Sequence, residues 1–131
     1  MGFRHVVRVR YGECDMQKVV FNANYLAYID DAVDTWFRQV FAPEGSFEDL
    51  GFDFMVKRIE LEWQSPAHFG ETIELDCSVT RWGTTSFDVT VVASVGERPV
   101  LHAKLVYVST TPGAANAAPV PDMVRTALGA S

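Results

Sequence analysis

The segment NYLAYIDDAVDTWFRQVF, residues 24–41, decides the fold class of this chain. Its apolar side chains recur at steps of three and four residues, which predicts a helix of about five turns with one broad apolar stripe. The stripe consists of Tyr25, Tyr28, Ile29, Ala32, Val33, Trp36, Phe37 and Val40. A stripe of this width must be covered by the rest of the chain.

The opposite face and the ends of this helix are polar. Asn22 or Asn24 is expected to cap its first turn, and Pro43 follows its end. The charged side chains on the exposed face are Asp30, Asp31, Asp34 and Arg38.

Five other segments have the pattern of strands. Before the helix, in residues 3–11, Val7, Val9 and Tyr11 alternate with Arg8 and Arg10, and Gly12 ends the pattern. Proline or glycine residues separate the later segments, and short connections make neighbouring strands antiparallel. These later strands are predicted at residues 54–64, 71–81, 86–95 and 99–109.

One strand, one long helix and four further strands form an α+β pattern, in which a single sheet curls around the helix. We expect one domain over residues 1–131, with a core at 1–110. Residues 42–52 are expected to form an acidic loop with one helical turn around 47–50, and residues 111–131 an irregular tail with a short helix at 122–128. Because such a sheet has open edges, we expect a homo-oligomer, either a dimer or a dimer of dimers (a homotetramer).

Composition excludes several classes of protein. The net charge of −6 argues against nucleic-acid binding, and the absence of a long apolar run and of a signal-peptide pattern predicts a cytoplasmic protein without a membrane contact. Cys14 and Cys77 match no metal or redox spacing and are expected to be reduced thiols. His5, His68 and His102 lack metal spacing as well, so we expect no metal site and no cofactor.

The chemistry is expected between the first strand and the helix, in residues 11–25, YGECDMQKVVFNANY. Glu13 and Asp15 precede the start of the helix, where free backbone N–H groups and the positive end of the helix dipole can hold an oxyanion. A carboxylate opposite such a site can act as a nucleophile or a general base. The alternative is that Asp15 or Glu13 only caps or solvates the loop.

This segment resembles the signature of the 4-hydroxybenzoyl-CoA thioesterase family of hotdog-fold proteins. Further similarity lies in residues 54–57, 65–71 and 83–87, so the resemblance covers about residues 5–110. The sequence departs from the family pattern at Lys18, where many members have glycine, and at Asn22, where many have histidine. The residues that match the signature are Tyr11, Glu13, Asp15, Val19, Val20, Phe21, Asn24 and Tyr25.

The resemblance implies a hotdog fold, with an antiparallel sheet of about five strands wrapped around one long central helix. It implies an acyl-CoA thioesterase in which Asp15 is the catalytic carboxylate and the backbone N–H of Asn22 contacts the thioester carbonyl. Glu13 is expected to be a further catalytic residue. We expect an acyl-CoA substrate with an aromatic or medium-chain acyl group. The residues expected to bind it are Asn24, Tyr25, Tyr28, Arg81 and Lys57, the last two at the coenzyme A phosphates; Trp36 could line the acyl pocket.

Three alternatives remain open at this point. The protein could instead hydrolyse the thioester of an acyl group on an acyl-carrier protein, or it could bind acyl-CoA without cleaving it. A hotdog dehydratase is disfavoured because those enzymes place a histidine on or near the helix, and residues 24–40 contain none.

Overall fold

The computed structural model describes residues 2–42, 50–114 and 116–129. The predicted bounds of both helices are confirmed, and the four later strands begin and end within one residue of their predicted bounds. The predicted turn at 47–50 falls largely outside the described residues, as does Pro43. The elements are β1 (Phe3–Arg8), α1 (Asn24–Phe41), β2 (Asp53–Trp63), β3 (Thr72–Trp82), β4 (Ser86–Val95), β5 (Arg98–Thr110) and α2 (Asp122–Leu128).

The five strands form one antiparallel sheet in the order β1-β3-β4-β5-β2, and the sheet wraps around α1. The predicted α+β hotdog architecture is confirmed. The predicted stripe of α1 is buried except for the half-buried Val40, and Phe41 is buried as well. It packs against the inner face of the sheet, whose buried side chains are Ile73, Leu75, Cys77, Val79, Phe87, Val89, Val91, Ala93, Leu101, Ala103, Leu105 and Tyr107.

The first strand is shorter than its sequence pattern predicts. Strand β1 ends at Arg8, and Tyr11 is 72% exposed instead of half-buried. The chain leaves the sheet because a tight turn follows, in which the Glu13 N–H donates to the Arg10 carbonyl and the Arg10 N–H donates to the Glu13 carboxylate. The alternation of apolar and charged residues therefore extends to Tyr11, three residues beyond the end of the strand.

The predicted asparagine cap of α1 is also wrong. The residue that precedes the helix is Ala23, and among the described residues no side chain caps the first turn. Asn24 is the first helical residue, and its side-chain amide donates instead to the Glu13 carbonyl at 2.8 Å. The first turn is tightened by bonds between residues three apart, such as Asn24 N–H to Phe21 O.

Between β1 and α1 the chain folds into a tight hairpin, residues 13–21. Cys14 and Val20 form a bridge, and the Asp15 N–H donates to the Val19 carbonyl at 2.9 Å. The Lys18 N–H closes the turn on the Asp15 carbonyl, with a φ of 64° at Lys18. This is the left-handed conformation that glycine adopts without strain, which explains why glycine suits this position.

A crossing segment, residues 65–71, connects β2 at one edge of the sheet to β3 near the other edge. It pairs with the hairpin, because the Val20 N–H donates to the Ala67 carbonyl and the Phe69 N–H to the Lys18 carbonyl. Its turn is held by Glu71, which accepts hydrogen bonds from the His68 N–H at 2.7 Å and from Arg98 at 2.6 Å. The hairpin is thus supported by the crossing segment.

Two smaller findings complete the fold. Cys14 and Cys77 are both free thiols, and burial raises the pKa of Cys77 to about 12.

Neither described helix has the length and apolar character needed to cross a membrane.

We predict that Lys18→Gly stabilises the protein. A left-handed conformation costs a residue with a Cβ about 1–2 kcal/mol, part of which is offset by the greater freedom of glycine in the unfolded chain. The free energy of unfolding, measured with urea, should therefore rise by about 0.5–1 kcal/mol. Gln17→Gly is the control, since Gln17 does not have a positive φ and should only lose stability. Equal losses in both variants would contradict the assignment of strain to Lys18.

We also predict that Glu71 stabilises the crossing segment in a pH-dependent way. The hydrogen bond from Arg98 is the largest cause that lowers the pKa of Glu71, to about 2. Because the folded-state value lies below the ordinary one, the stabilisation is complete above about pH 4.5 and is lost as the pH falls toward 2.

Glu71→Gln should therefore lower the free energy of unfolding by about 1–2 kcal/mol at pH 7, and the difference from wild type should shrink between pH 5 and pH 2. The matched control is Glu74→Gln, which removes a surface ion pair with Arg4 and should cost less than about 1 kcal/mol. A difference that stays constant over this pH range would refute the role of the Glu71 charge.

Candidate functional site

Asp15 lies at the tip of the hairpin with its carboxylate exposed. One oxygen, Oδ1, accepts a hydrogen bond from the Gln17 N–H at 2.8 Å. The predicted alternative, a loop-capping acid, is therefore part of what Asp15 does. The second oxygen has no protein partner among the described residues. Because Cys14 is extended, with φ −104° and ψ 154°, Glu13 and Asp15 project to the same side.

The start of α1 presents two free backbone donors. Among the described residues, neither the Asn22 N–H nor the Ala23 N–H donates a hydrogen bond, whereas the Asn24 N–H donates to the Phe21 carbonyl. The Phe21 N–H donates to the Glu13 carbonyl, so the arm of the hairpin that carries Asp15 runs beside this helix start. Asp15 lies two residues farther along that arm, which is about 7 Å.

Glu13 is held by its neighbours. Arg10 contacts the carboxylate through its backbone N–H and its guanidinium, and the Tyr28 hydroxyl donates to it at 2.8 Å. Burial works to raise the pKa of Glu13, but the hydrogen bonds from Arg10 and Tyr28 outweigh it and hold this pKa below its ordinary value. Burial, followed by the bond to Glu13, raises the pKa of Tyr28. Glu13 is therefore an ionised and fully occupied carboxylate.

Asn24 and Tyr25 also hold the backbone around the site. The Asn24 side chain donates to the Glu13 carbonyl, and the Tyr25 hydroxyl accepts the Ala67 N–H at 3.0 Å. Tyr25 is only 2% exposed. A surface cavity of about 320 Å³ lies next to this network, lined by Val7, Arg10, Glu13, Asn24, Ala27, Tyr28 and Asp31.

Arg81 and Lys57 lie far from this end of the molecule. Arg81 lies nine positions beyond Thr72 in β3, which is about 30 Å of strand. Arg81 donates to Ser86 and to the buried Asp88, and it is the main cause of the lowered pKa of Asp88. Lys57 lies exposed at an irregularity in β2. One chain therefore gathers Glu13, Asp15, Asn22, Asn24, Tyr25 and Tyr28, but not the two cations.

Two contributors to the site escaped prediction from the sequence. The free N–H of Ala23 depends on where the helix begins, and an alanine carries no side-chain signal. Ala67 approaches the hairpin only through the crossing segment; the similarity of residues 65–71 to the family was the one available hint. Trp36, a candidate for the acyl pocket, is buried in the core at 4% exposure.

One curated relative is an acyl-CoA thioester hydrolase, YbgC, from Escherichia coli O157:H7. It is 27% identical over 84 residues, which are 64% of this chain and 63% of the relative. The match thus spans less than two thirds of the relative's length. A second relative, from Aquifex aeolicus, is named a putative esterase and is 23% identical over 66% of this chain and 68% of its own.

Solved structures show the same fold over nearly the whole chain. A thioesterase-superfamily protein from Jannaschia sp. CCS1 superposes with a TM-score of 0.89 at 24% identity, covering 97% of this chain and 90% of that one. A 1,4-dihydroxy-2-naphthoyl-CoA thioesterase from Synechocystis gives 0.82 at 19% identity, with coverages of 98% and 96%.

The family comparison covers most of the sequence. The model of the thioesterase-like superfamily matches residues 9–128, which include the hairpin with Asp15, the central helix, β2 to β5 and α2. The resemblance seen in residues 11–25 is thereby confirmed, and this chain belongs to the thioesterase-like superfamily.

Proposed function

We propose that this protein hydrolyses the thioester of an acyl-coenzyme A, with Asp15 as its catalytic carboxylate. The observation that carries the proposal is the combination of an exposed carboxylate on a supported hairpin with two free N–H groups at the start of α1. The first can deliver the attack on a carbonyl carbon, and the second can hold the negative charge that develops on its oxygen.

Two routes fit this arrangement. As a general base, Asp15 takes a proton from water while the water oxygen bonds to the carbonyl carbon. As a nucleophile, Asp15 forms a mixed anhydride that water then cleaves. In both routes the carbon–sulfur bond breaks, the thiol of coenzyme A leaves with a proton, and the acid remains. The N–H groups of Asn22 and Ala23 contact the carbonyl oxygen throughout.

Glu13 acts as a positioning residue in this proposal. Its carboxylate is occupied by Arg10 and Tyr28, so it fixes the base of the hairpin and leaves the attack to Asp15. Tyr28 and Asn24 adjoin the cavity at this end of the helix, where the thioester would enter. Tyr25 holds the crossing segment beneath it.

The nature of the substrate is part of the proposal. Support comes from the E. coli relative, which is named an acyl-CoA thioester hydrolase, and from the Synechocystis structure, whose name specifies an aromatic acyl group. An aromatic or medium-chain acyl group is proposed here. Lys57 and Arg81 are proposed to contact the coenzyme A phosphates, which need cations at the mouth of the site.

We predict that Asp15→Asn lowers the rate of thioester hydrolysis by at least about a hundredfold. The amide oxygen can still accept the hydrogen bond from the Gln17 N–H, so the hairpin should keep its shape while the base or nucleophile is lost. The measurement is release of free thiol from benzoyl-CoA and from acyl-CoA esters of six to ten carbons. Circular dichroism verifies the fold.

Two variants serve as controls in this experiment. Asp76→Asn makes the same chemical change in a surface ion pair with Arg4 and should keep the wild-type rate. Asn22→Ala should keep most of the rate, because the proposed donor is the backbone N–H. Undiminished hydrolysis by Asp15→Asn would overturn the role of Asp15. Absence of turnover on every ester by the wild type would favour a carrier-protein substrate or a binding protein.

The open edge of the sheet supports the proposed oligomer. Among the described residues, strand β2 pairs with β5 alone, so the other edge of its eleven residues has no strand beside it. The edge also exposes large apolar side chains, Met55, Val56, Ile59 and Trp63, each between 40% and 49% exposed. Native proteins cover such edges, and a second copy of β2 is the simplest cover.

Antiparallel pairing of two β2 strands about their midpoint would also complete the site. The Trp63 end of β2 adjoins Tyr25 at the start of α1, with ring centroids 6.1 Å apart. The Asp53 end of β2 lies at the same end of the sheet as Arg81. Pairing therefore brings the Asp15 end of one copy toward the Arg81 end of the other, which a single chain keeps far apart.

We predict that Ile59→Lys converts the protein to a folded monomer, because a buried, unpaired charge would oppose the pairing of β2. Light scattering coupled to size-exclusion chromatography measures the mass. Val92→Lys, which places a lysine at an equally exposed valine on the outer face of β4, should leave the mass unchanged. A monomeric wild type, or an Ile59→Lys variant of unchanged mass, would contradict this interface.

A further inference from the structure

A second cavity lies at the opposite end of the molecule from Asp15. Its volume is about 250 Å³, enough for a small organic group, since a water molecule occupies about 30 Å³ of liquid. It opens between the later turns of α1, the first residues of β2 and the end of β5. The lining residues are Asp30, Val33, Asp34, Phe37, Phe52, Asp53, Phe54, Val56 and Tyr107.

The walls of this cavity are aromatic. Phe37 packs against Phe54 and Tyr107 with ring centroids 5.4 and 5.5 Å apart, and Phe52 packs against Phe54 at 5.3 Å. The faces of such rings carry partial negative charge and attract cations, most strongly where water is excluded. The shape and the lining therefore suit a compact group with both apolar surface and positive charge.

Tyr107 provides a polar group that the fold itself does not use. Its side chain is only 6% exposed and lines the cavity, yet its hydroxyl has no hydrogen-bond partner among the described residues. The hydroxyl oxygen is open to the cavity and is not sealed from solvent, so a water molecule or a ligand in the cavity can form a hydrogen bond with it. Burial, followed by the negative charge of Asp30, raises the pKa of Tyr107, which keeps this hydroxyl protonated.

The rim of the cavity is acidic. Asp34 is paired with Arg38 at 2.8 Å, and one oxygen of Asp53 accepts the N–H of Phe54. Asp30 has no ion-pair or hydrogen-bond partner in the described part of the chain. None of the described lining residues carries a positive charge. The cavity thus has excess negative charge next to an unused hydroxyl.

A metal ion does not account for these features. No group of three or more His, Cys, Asp or Glu side chains within residues 2–42, 50–114 and 116–129 is arranged to hold one. Aromatic walls with carboxylates at the rim match an organic cation instead. We propose that the cavity between α1, β2 and Tyr107 binds an alkylammonium group, held by Asp30, by the Tyr107 hydroxyl and by the surrounding aromatic rings.

This ammonium group could belong to a free amine or to the far end of an acyl chain. The second source rests on the proposed function and on the β2 interface, since pairing of two β2 strands brings the start of α1 of one copy toward the cavity of the other. The group that binds is an alkylammonium in both cases. A terminal carboxylate would not bind here, because Asp30 and Asp53 would repel it.

The first experiment tests binding without catalysis. Butylammonium chloride is titrated into the protein, and the NMR signals of residues 30–37 are followed, with 1-pentanol and pentanoate as neutral and anionic probes of similar size. Butylammonium should shift these signals with millimolar affinity, and it should bind at least about fivefold more tightly than pentanol, the difference made by a partly exposed ion pair. Pentanoate should bind most weakly.

Three variants locate the site. Asp30→Asn should weaken butylammonium binding about fivefold, and Tyr107→Phe, which keeps the ring, should weaken it about threefold. Asp31→Asn removes the same charge from the next position of α1, outside the cavity, and should leave the affinity within about twofold. Equal binding of butylammonium and pentanol, or equal effects of Asp30→Asn and Asp31→Asn, would refute the proposal.

The second experiment distinguishes the two sources. The values of kcat/KM are compared for 6-aminohexanoyl-CoA, hexanoyl-CoA and adipoyl-CoA in the wild type and in Asp30→Asn. If the group is carried by the substrate, Asp30→Asn should lower the value about fivefold for the amino ester and raise it for the dicarboxylic one, with hexanoyl-CoA unchanged. If Asp30→Asn weakens butylammonium binding but leaves kcat/KM unchanged for all three esters, the ligand is a free amine. Failure of hydrolysis altogether would refute the proposed function and leave the binding result standing.

Discussion

The hydrogen bond from the Ala67 N–H to the buried Tyr25 hydroxyl joins the three parts on which the site depends. Tyr25 belongs to the first turn of α1, and Ala67 to the crossing segment between β2 and β3. The same Ala67 accepts the Val20 N–H of the hairpin through its carbonyl. The position of the helix start relative to Asp15 is therefore determined by buried hydrogen bonds of the Ala67 main chain, one to the Tyr25 side chain and one to the Val20 backbone. The exposed Asp15 itself needs few restraints.

The sequence predicted the elements of this fold well and their arrangement less well. The bounds of α1 followed from the apolar period, since a stripe of that length matches no other regular structure. The end of β1 did not, because Tyr11 continues the alternation while the turn at Arg10 and Glu13 removes it from the sheet. The order of the strands was not predicted either. Nothing local in β2 indicates that it pairs with β5 rather than with the next strand along the chain.

In the candidate site, too, the residues were predicted better than the contacts between them. Residues 11–25 were identified by resemblance, and the positive φ at Lys18 agrees with the glycine that many relatives have there. The contact between Glu13 and Tyr28 was not predicted, although Tyr28 was expected to bind the substrate, because this contact depends on the angle at which the hairpin meets α1. The acidic cavity escaped notice for a similar reason. Asp30, Asp53 and Tyr107 belong to three separate elements, and each has an ordinary surface or core pattern.

The sheet order also has a consequence for how the protein is made. Strand β2 emerges from the ribosome before β5, with which it pairs in the described part of the chain, and Thr110 comes 47 positions after Trp63. At the usual rate of synthesis this is a delay of about 2–10 s. During that time an apolar strand with Met55, Val56 and Ile59 has no neighbour to pair with. Nascent chains on one messenger could meet through β2 before they fold, so the surface proposed to join finished subunits is also the one most exposed to premature aggregation.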